Sequence, residues 1–165
     1  MSGNLIISTE NNQCVVSLSG RVNFETVVPL RDFVNNIPGD INEITVELAE
    51  CLSMDSTCMG VLSMLALSGI KRKLKIRLLN AGGNRQLLKG LGVEKLFKFE
   101  DGEVEHFSNV IYPASQTTGK NLTAAAETVL QAHETLADAD DGNRQRFGTV
   151  IEMTRQDVER LKDKK

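Results

Sequence analysis

The sequence predicts an α/β fold, a mixed β-sheet with helices packed on it, followed by a C-terminal helical hairpin. Three observations carry this expectation. Through roughly the first hundred residues, β-branched runs alternate with amphipathic stretches in the order β-β-α-β-α-β-α-β. The first two runs are consecutive and read as a hairpin, so the sheet mixes antiparallel with parallel pairing. After Asp101 the composition changes, and two apolar stripes at helical spacing follow a stretch rich in Ser, Thr and Gly.

Leu5 to Thr9 and Cys14 to Ser19 are the hairpin strands, separated by Glu10-Asn11-Asn12-Gln13 in a loop of four to five residues. Gly20 breaks the pattern. A helix then starts near Glu25, with Val27, Leu30, Phe33, Val34 and Ile37 on one face and Pro29 near its front, where a missing donor is tolerated. Pro38-Gly39-Asp40 stops it. Ile44 to Leu48 forms the next strand, and Ala49 to Met54 a loop. In the helix that follows, Cys58, Val61, Leu62 and Leu65 share a buried face, Met59 falls on another side and is expected to be exposed, and Gly69 ends the helix. Lys71, Arg72 and Lys73 suit its negative end better than they suit nucleic acid. Leu74 to Leu79 alternates as a strand whose Lys75 and Arg77 face solvent or a partner. Arg85 to Gly90 is a short helix, and a last strand lies around Leu96 to Phe99.

From Pro113 to Lys120 the chain reads as a linker, which divides it into a domain over 1–112 and an extension over 113–165. In the extension, Leu122, Ala126, Val129, His133 and Leu136 form one stripe, and Phe147, Val150, Ile151, Thr154, Val158 and Leu161 a second, with an acidic turn between them. Such stripes bury themselves on the sheet domain, on each other or on another chain. The near-heptad spacing of the second allows a homodimer through the tail.

Composition excludes several functions. The chain has 165 residues, 41% hydrophobic and 25% charged, values of a folded globular protein. A formal net charge of -3 without a basic stripe argues against nucleic-acid binding, and 4% aromatics without tryptophan leaves no stacking platform for bases. No signal peptide and no membrane-length apolar run is visible, so a cytoplasmic setting is expected. Cys14, Cys51 and Cys58 lack any Cys-x-x-Cys spacing and fit reduced thiols rather than a disulfide frame or a metal site. Gly82-Gly83 with Lys89 matches no phosphate-binding loop. No cofactor is implied.

The stretch Met54-Asp55-Ser56-Thr57-Cys58-Met59-Gly60 is the chemical focus. It follows a strand and opens an apolar helix, with Ser53 and Asp55 as rival N-caps and two hydroxyls in the first turn. A strand that turns into a helix at a serine displays a hydroxyl. Display of the hydroxyl is the first reading of Ser56 and Thr57, and capping alone is the alternative.

Asp55-Ser56-Thr57-x-x-Gly60, together with the strand and helix order, resembles the STAS domain, and more narrowly the bacterial anti-sigma-factor antagonists. The resemblance covers residues 1 to about 110 and implies a STAS-like mixed sheet. It also implies that Ser56 accepts phosphate, with Thr57 as the second choice. The implied partners are an anti-sigma factor that is also a serine kinase and a Ser/Thr phosphatase, and the implied contact residues are Asn23, Asp55, Ser56, Thr57, Met59 and Gly60. One departure concerns Gly20-Arg21-Val22-Asn23, where the family often carries aspartate at the last position. The resemblance does not reach the tail. Two other classes compete with this switch: an enzyme using Ser56 or Cys58 as nucleophile, for which the available bases are His106 and His133, and a scaffold or ligand-sensing module that assembles through its tail.

Overall fold

The computed structural model of the chain describes residues 2–113 and 121–163. Strands β1 (Asn4–Glu10) and β2 (Gln13–Val22) form the expected antiparallel hairpin. Its turn is shorter than the sequence suggests, because Glu10 pairs with Gln13 and only Asn11 and Asn12 lie between the strands. Asn11 takes a φ of 55°, a left-handed conformation that asparagine tolerates better than most residues.

Helix α1 (Phe24–Asn35) buries Val27, Leu30 and Val34. Pro29 lies inside the helix rather than in its first turn, so it removes one internal hydrogen bond. Strand β3 (Glu43–Glu47) runs parallel to the first half of β2. The segment after it is not wholly a loop. Cys51–Met54 forms a fourth strand, β4, parallel to the second half of β2. At four residues, with Leu52 62% exposed, it is too short for its alternation to register in the sequence.

Helix α2 (Ser56–Arg72) follows, then β5 (Lys75–Leu79), α3 (Asn84–Gly90), a 3-10 turn at Glu94–Leu96, and β6 (Phe99–Glu100). The last strand expected near Leu96 therefore starts later and is only two residues long. A further strand, β7 (Asn109–Tyr112), pairs antiparallel with β1. The sheet order is β6-β5-β3-β2-β1-β7, with β4 beside β2. Gly69 does not end α2. The helix continues to Arg72 and closes at Lys73, whose φ is 59° and whose N–H donates to the Gly69 carbonyl. Glycine at 69 has a packing reason, since a Cβ there would run into Ile76.

Val16, Leu18, Ile44, Val46 and Leu78 from the sheet meet Val27, Leu30, Leu62 and Leu65 from the helices in one core. On the sheet's other face, Arg77 is not a free cation. Its guanidinium donates to Thr45 Oγ1 at 3.2 Å and Glu100 Oε1 at 3.4 Å, and it forms an ion pair with Glu43 at 3.1 Å.

The C-terminal hairpin is present as α4 (Leu122–Ala139) and α5 (Asp141–Asp163), which break at Asp140 and pack together. Helix α4 also lies on α1 and α2. Apart from Pro113, the expected linker over Pro113–Lys120 lies outside the described residues. The face α4 buries is Thr128, Ala132, His133, Leu136 and Ala137, whereas Leu122, expected at the head of the stripe, is 67% exposed. The backbones approach most closely where Ala132 faces Gly60 of α2, which leaves no room there for a larger side chain. Among the described residues, no helix is long and apolar enough to cross a membrane.

Candidate functional site

Parallel pairing of β2 with β4 sets two helix starts side by side. Val22 pairs with Met54, the Asp55 N–H donates to the Val22 carbonyl, and each strand then hands over to a helix through its N-cap residue. Asn23 caps α1, its Oδ1 accepting from the N–H groups of Glu25 at 3.0 Å and Thr26 at 3.2 Å. Asp55, not Ser53, caps α2, its Oδ1 accepting from the Cys58 N–H at 2.9 Å. A side-chain oxygen placed this way satisfies donors that the helix leaves unpaired, and a carboxylate also meets the positive end of the helix dipole. Asp55→Ala is expected to lower stability by about 1 kcal/mol, and Asp55→Asn by less, as read from urea unfolding. Equal loss in both variants would assign the effect to charge rather than to the cap bond.

Asn23 is exposed, Asp55 and Ser56 are half-buried, and Thr57, Met59 and Gly60 are buried. Burial of Met59, at 7% exposure, departs from the expectation of an exposed contact residue. The physical reason is that α2 is covered on more than one side: the sheet and α1 take one face, and α4 lies along another. Ten of its seventeen residues are buried, so a single-stripe reading of this helix understates its enclosure.

The contact that sequence reasoning did not join is between Ser56 and the tail. Ser56 Oγ lies 2.8 Å from His133 Nε2. The other ring nitrogen, Nδ1, is 2.7 Å from the Val129 carbonyl oxygen, which can only accept, so Nδ1 carries the proton. In the neutral ring Nε2 is then the acceptor and the Ser56 hydroxyl donates to it. The Phe147 ring of α5 packs edge-on against the imidazole with centroids 4.8 Å apart. One turn along α2, a Cβ on Gly60 would lie 2.6 Å from Ala132 Cβ and closer still to the Ala132 carbonyl oxygen, so only glycine admits α4 here. A polar His133 within an apolar stripe was the available signal in the sequence, but nothing local to it names a partner so far away along the chain.

A serine on an imidazole meets one requirement for an activated nucleophile, and the second is a group that orients the base. Here that group is a backbone carbonyl of the same helix, and the ring is 3% exposed. Two cavities among the described residues, of about 730 and 330 Å³, have neither Ser56 nor His133 in their lining. Cys58 is no better placed. It is fully buried, and desolvation first, then the charges of Cys51 and Asp55, push its thiol well above the ordinary range, which keeps it protonated. No cluster of side chains suited to a metal ion occurs among the described residues.

The family model described as "Mlab, STAS domain" matches residues 6–98, more than half of the chain. The chain belongs to the STAS domain family. No curated protein matches it. Among solved structures, it is similar to the Bacillus cell fate determinant SpoIIAA in the phosphorylated form, with 16% identity, a TM-score of 0.52, and coverage of 60% of this chain and 91% of the other. It is also similar to the anti-sigma factor antagonist SpoIIAA in its unphosphorylated form, with 15% identity, a TM-score of 0.48, and coverage of 60% and 88%. At these identities the likeness concerns the fold. The STAS match ends before β7 and the tail, so the pairing of Ser56 with His133 joins a residue inside the matched region to one outside it.

Proposed function

We propose that this STAS protein is a bacterial anti-sigma-factor antagonist, a protein-binding switch in partner-switching control of transcription that is set by phosphorylation of Ser56. The observation that carries this reading is the place of half-buried Ser56 as the first residue of α2, directly after the Asp55 cap. Thr57, 4% exposed, is the poorer acceptor. The shared fold with phosphorylated SpoIIAA supports the same reading.

In this reading the partners are an anti-sigma factor with serine kinase activity and a Ser/Thr phosphatase, all in the cytoplasm, and the chain itself is not an enzyme. Asn23, Asp55 and Ser56 form the accessible front of the contact surface, with Thr57, Met59 and Gly60 behind it. Phosphoserine adds roughly -1.5 to -2 charges and three acceptor oxygens. At a helix N-terminus those charges meet unpaired N–H groups and the positive dipole end, so the fold tolerates them. A partner surface fitted to a neutral hydroxyl does not.

Incubation with ATP and the cognate serine kinase, followed by mass spectrometry, is expected to map phosphate to Ser56. Phosphate only at other residues would overturn the assignment. A second reading, a STAS scaffold that forms homodimers through its tail, is favoured by one observation: Val150 and Met153 on α5 are 38% and 61% exposed.

A further inference from the structure

We propose that the C-terminal hairpin is a displaceable cover over the Ser56 face, and that docking of α4 and phosphate on Ser56 exclude one another. The proposal rests on the reading of Ser56 as phospho-acceptor and adds how access to it is controlled. Two contacts hold α4 against α2 at the decisive place: the Ser56 hydroxyl on His133 Nε2 at 2.8 Å, and Gly60 against the Ala132 backbone. A gap of 2.8 Å has no room for a phosphorus and its oxygens. A kinase active site, which must surround the acceptor serine, has none either while α4 is seated there.

Turning the phosphate outward does not restore the contact. The esterified oxygen has no proton to donate, so the hydrogen bond from Ser56 to Nε2 is lost. The Gly60 contact prevents α4 from yielding by a small slide, because the backbone of Ala132 is the surface it meets. Phosphate therefore favours the state with α4 lifted.

Much of the remaining interface is polar. Arg31 donates to Thr128 Oγ1 at 3.2 Å and to the Ala124 carbonyl at 3.4 Å, Asn35 donates to Gln131 at 3.3 Å, and Leu136 is the one large aliphatic side chain on the buried face of α4. The polar contacts re-form with water at little cost, whereas Ala132 and Leu136 are the apolar ties of α4 to the core. Close to the Ser56 contact, the buried Asn143 amide donates to the carbonyls of Leu91 and Leu136, both at 2.8 Å, and so ties the α4–α5 corner to the region after α3.

The test needs no partner. Spin labels on Lys75→Cys and Glu159→Cys, both exposed positions on the sheet and on α5, report tail position in the full chain, since Cys14, Cys51 and Cys58 are buried. Unmodified protein is expected to give one narrow distance. Phosphoserine installed at position 56 by codon suppression is expected to move most molecules to a longer, broader distribution, and Gly60→Ala to do the same with Ser56 unmodified. An unchanged narrow distance in the phosphoserine protein would overturn the proposal, as would an unchanged distance in Gly60→Ala. Failure here leaves the switch reading standing, because that reading is judged by where the kinase puts phosphate. Conversely, tail release without kinase phosphorylation of Ser56 would sink the switch and keep the cover.

Discussion

A Ser56→Asp chain is expected to bind the anti-sigma partner on the order of a hundredfold or more weakly than the unmodified chain, while Ser56→Ala binds at least as tightly. The carboxylate would sit beside Asp55, whose own oxygen is already committed to the Cys58 N–H. A partner closing over that pair must strip water from two adjacent anions, and an uncompensated buried charge costs several kcal/mol. The Ala variant asks for nothing of the kind. It removes the Ser56 donor and weakens the hold of His133, so any change should favour the partner over α4. Titration calorimetry against the purified partner reads both, and equal affinities for the two variants would remove the electrostatic basis of the switch.

The second large effect is on stability. Leu62→Ala is expected to cost about 2–5 kcal/mol in urea unfolding, because Leu62 is wholly buried where α2 meets the sheet and its removal leaves a cavity. Leu122→Ala, in contrast, should change stability by less than about 0.5 kcal/mol, since that side chain is 67% exposed. By periodicity the two leucines belong to equally good stripes. A comparable loss in both would mean that Leu122 finds a buried place in solution.

That contrast marks what periodicity can and cannot say. Cys58, Val61, Leu62 and Leu65 were legible as a buried face because a sheet lies in register beneath them. The order of strands and helices, the Asp55 cap and the serine after it were also legible, since each depends on neighbours within a few residues. Met59 was not, because its burial follows from the enclosure of α2 by elements far along the chain. Strand β4 escaped notice because it is four residues long and is defined by its partner rather than by its own pattern. His133 stood out in composition, as one of two histidines, but its role needs the tail to fold back, and no spacing rule carries that distance. The small residues of α4 deceived the stripe in the same way. Thr128 and Ala132 are buried because Arg31 and Gly60 lie opposite, not because they are apolar enough to demand it.

The meeting of Gly60 with Ala132 also bears on how sequences of this architecture can drift. A side chain can be added at position 60 only if the tail withdraws, and enlarging position 132 has the same effect from the other side. Positions 60 and 132 are thus bound to vary together in relatives that keep the tail docked, as are 56 and 133. Relatives that end after the sheet are free of both constraints. A joint substitution pattern at these two pairs, present in tailed sequences and absent in short ones, would be the inherited trace of a helix resting on a serine.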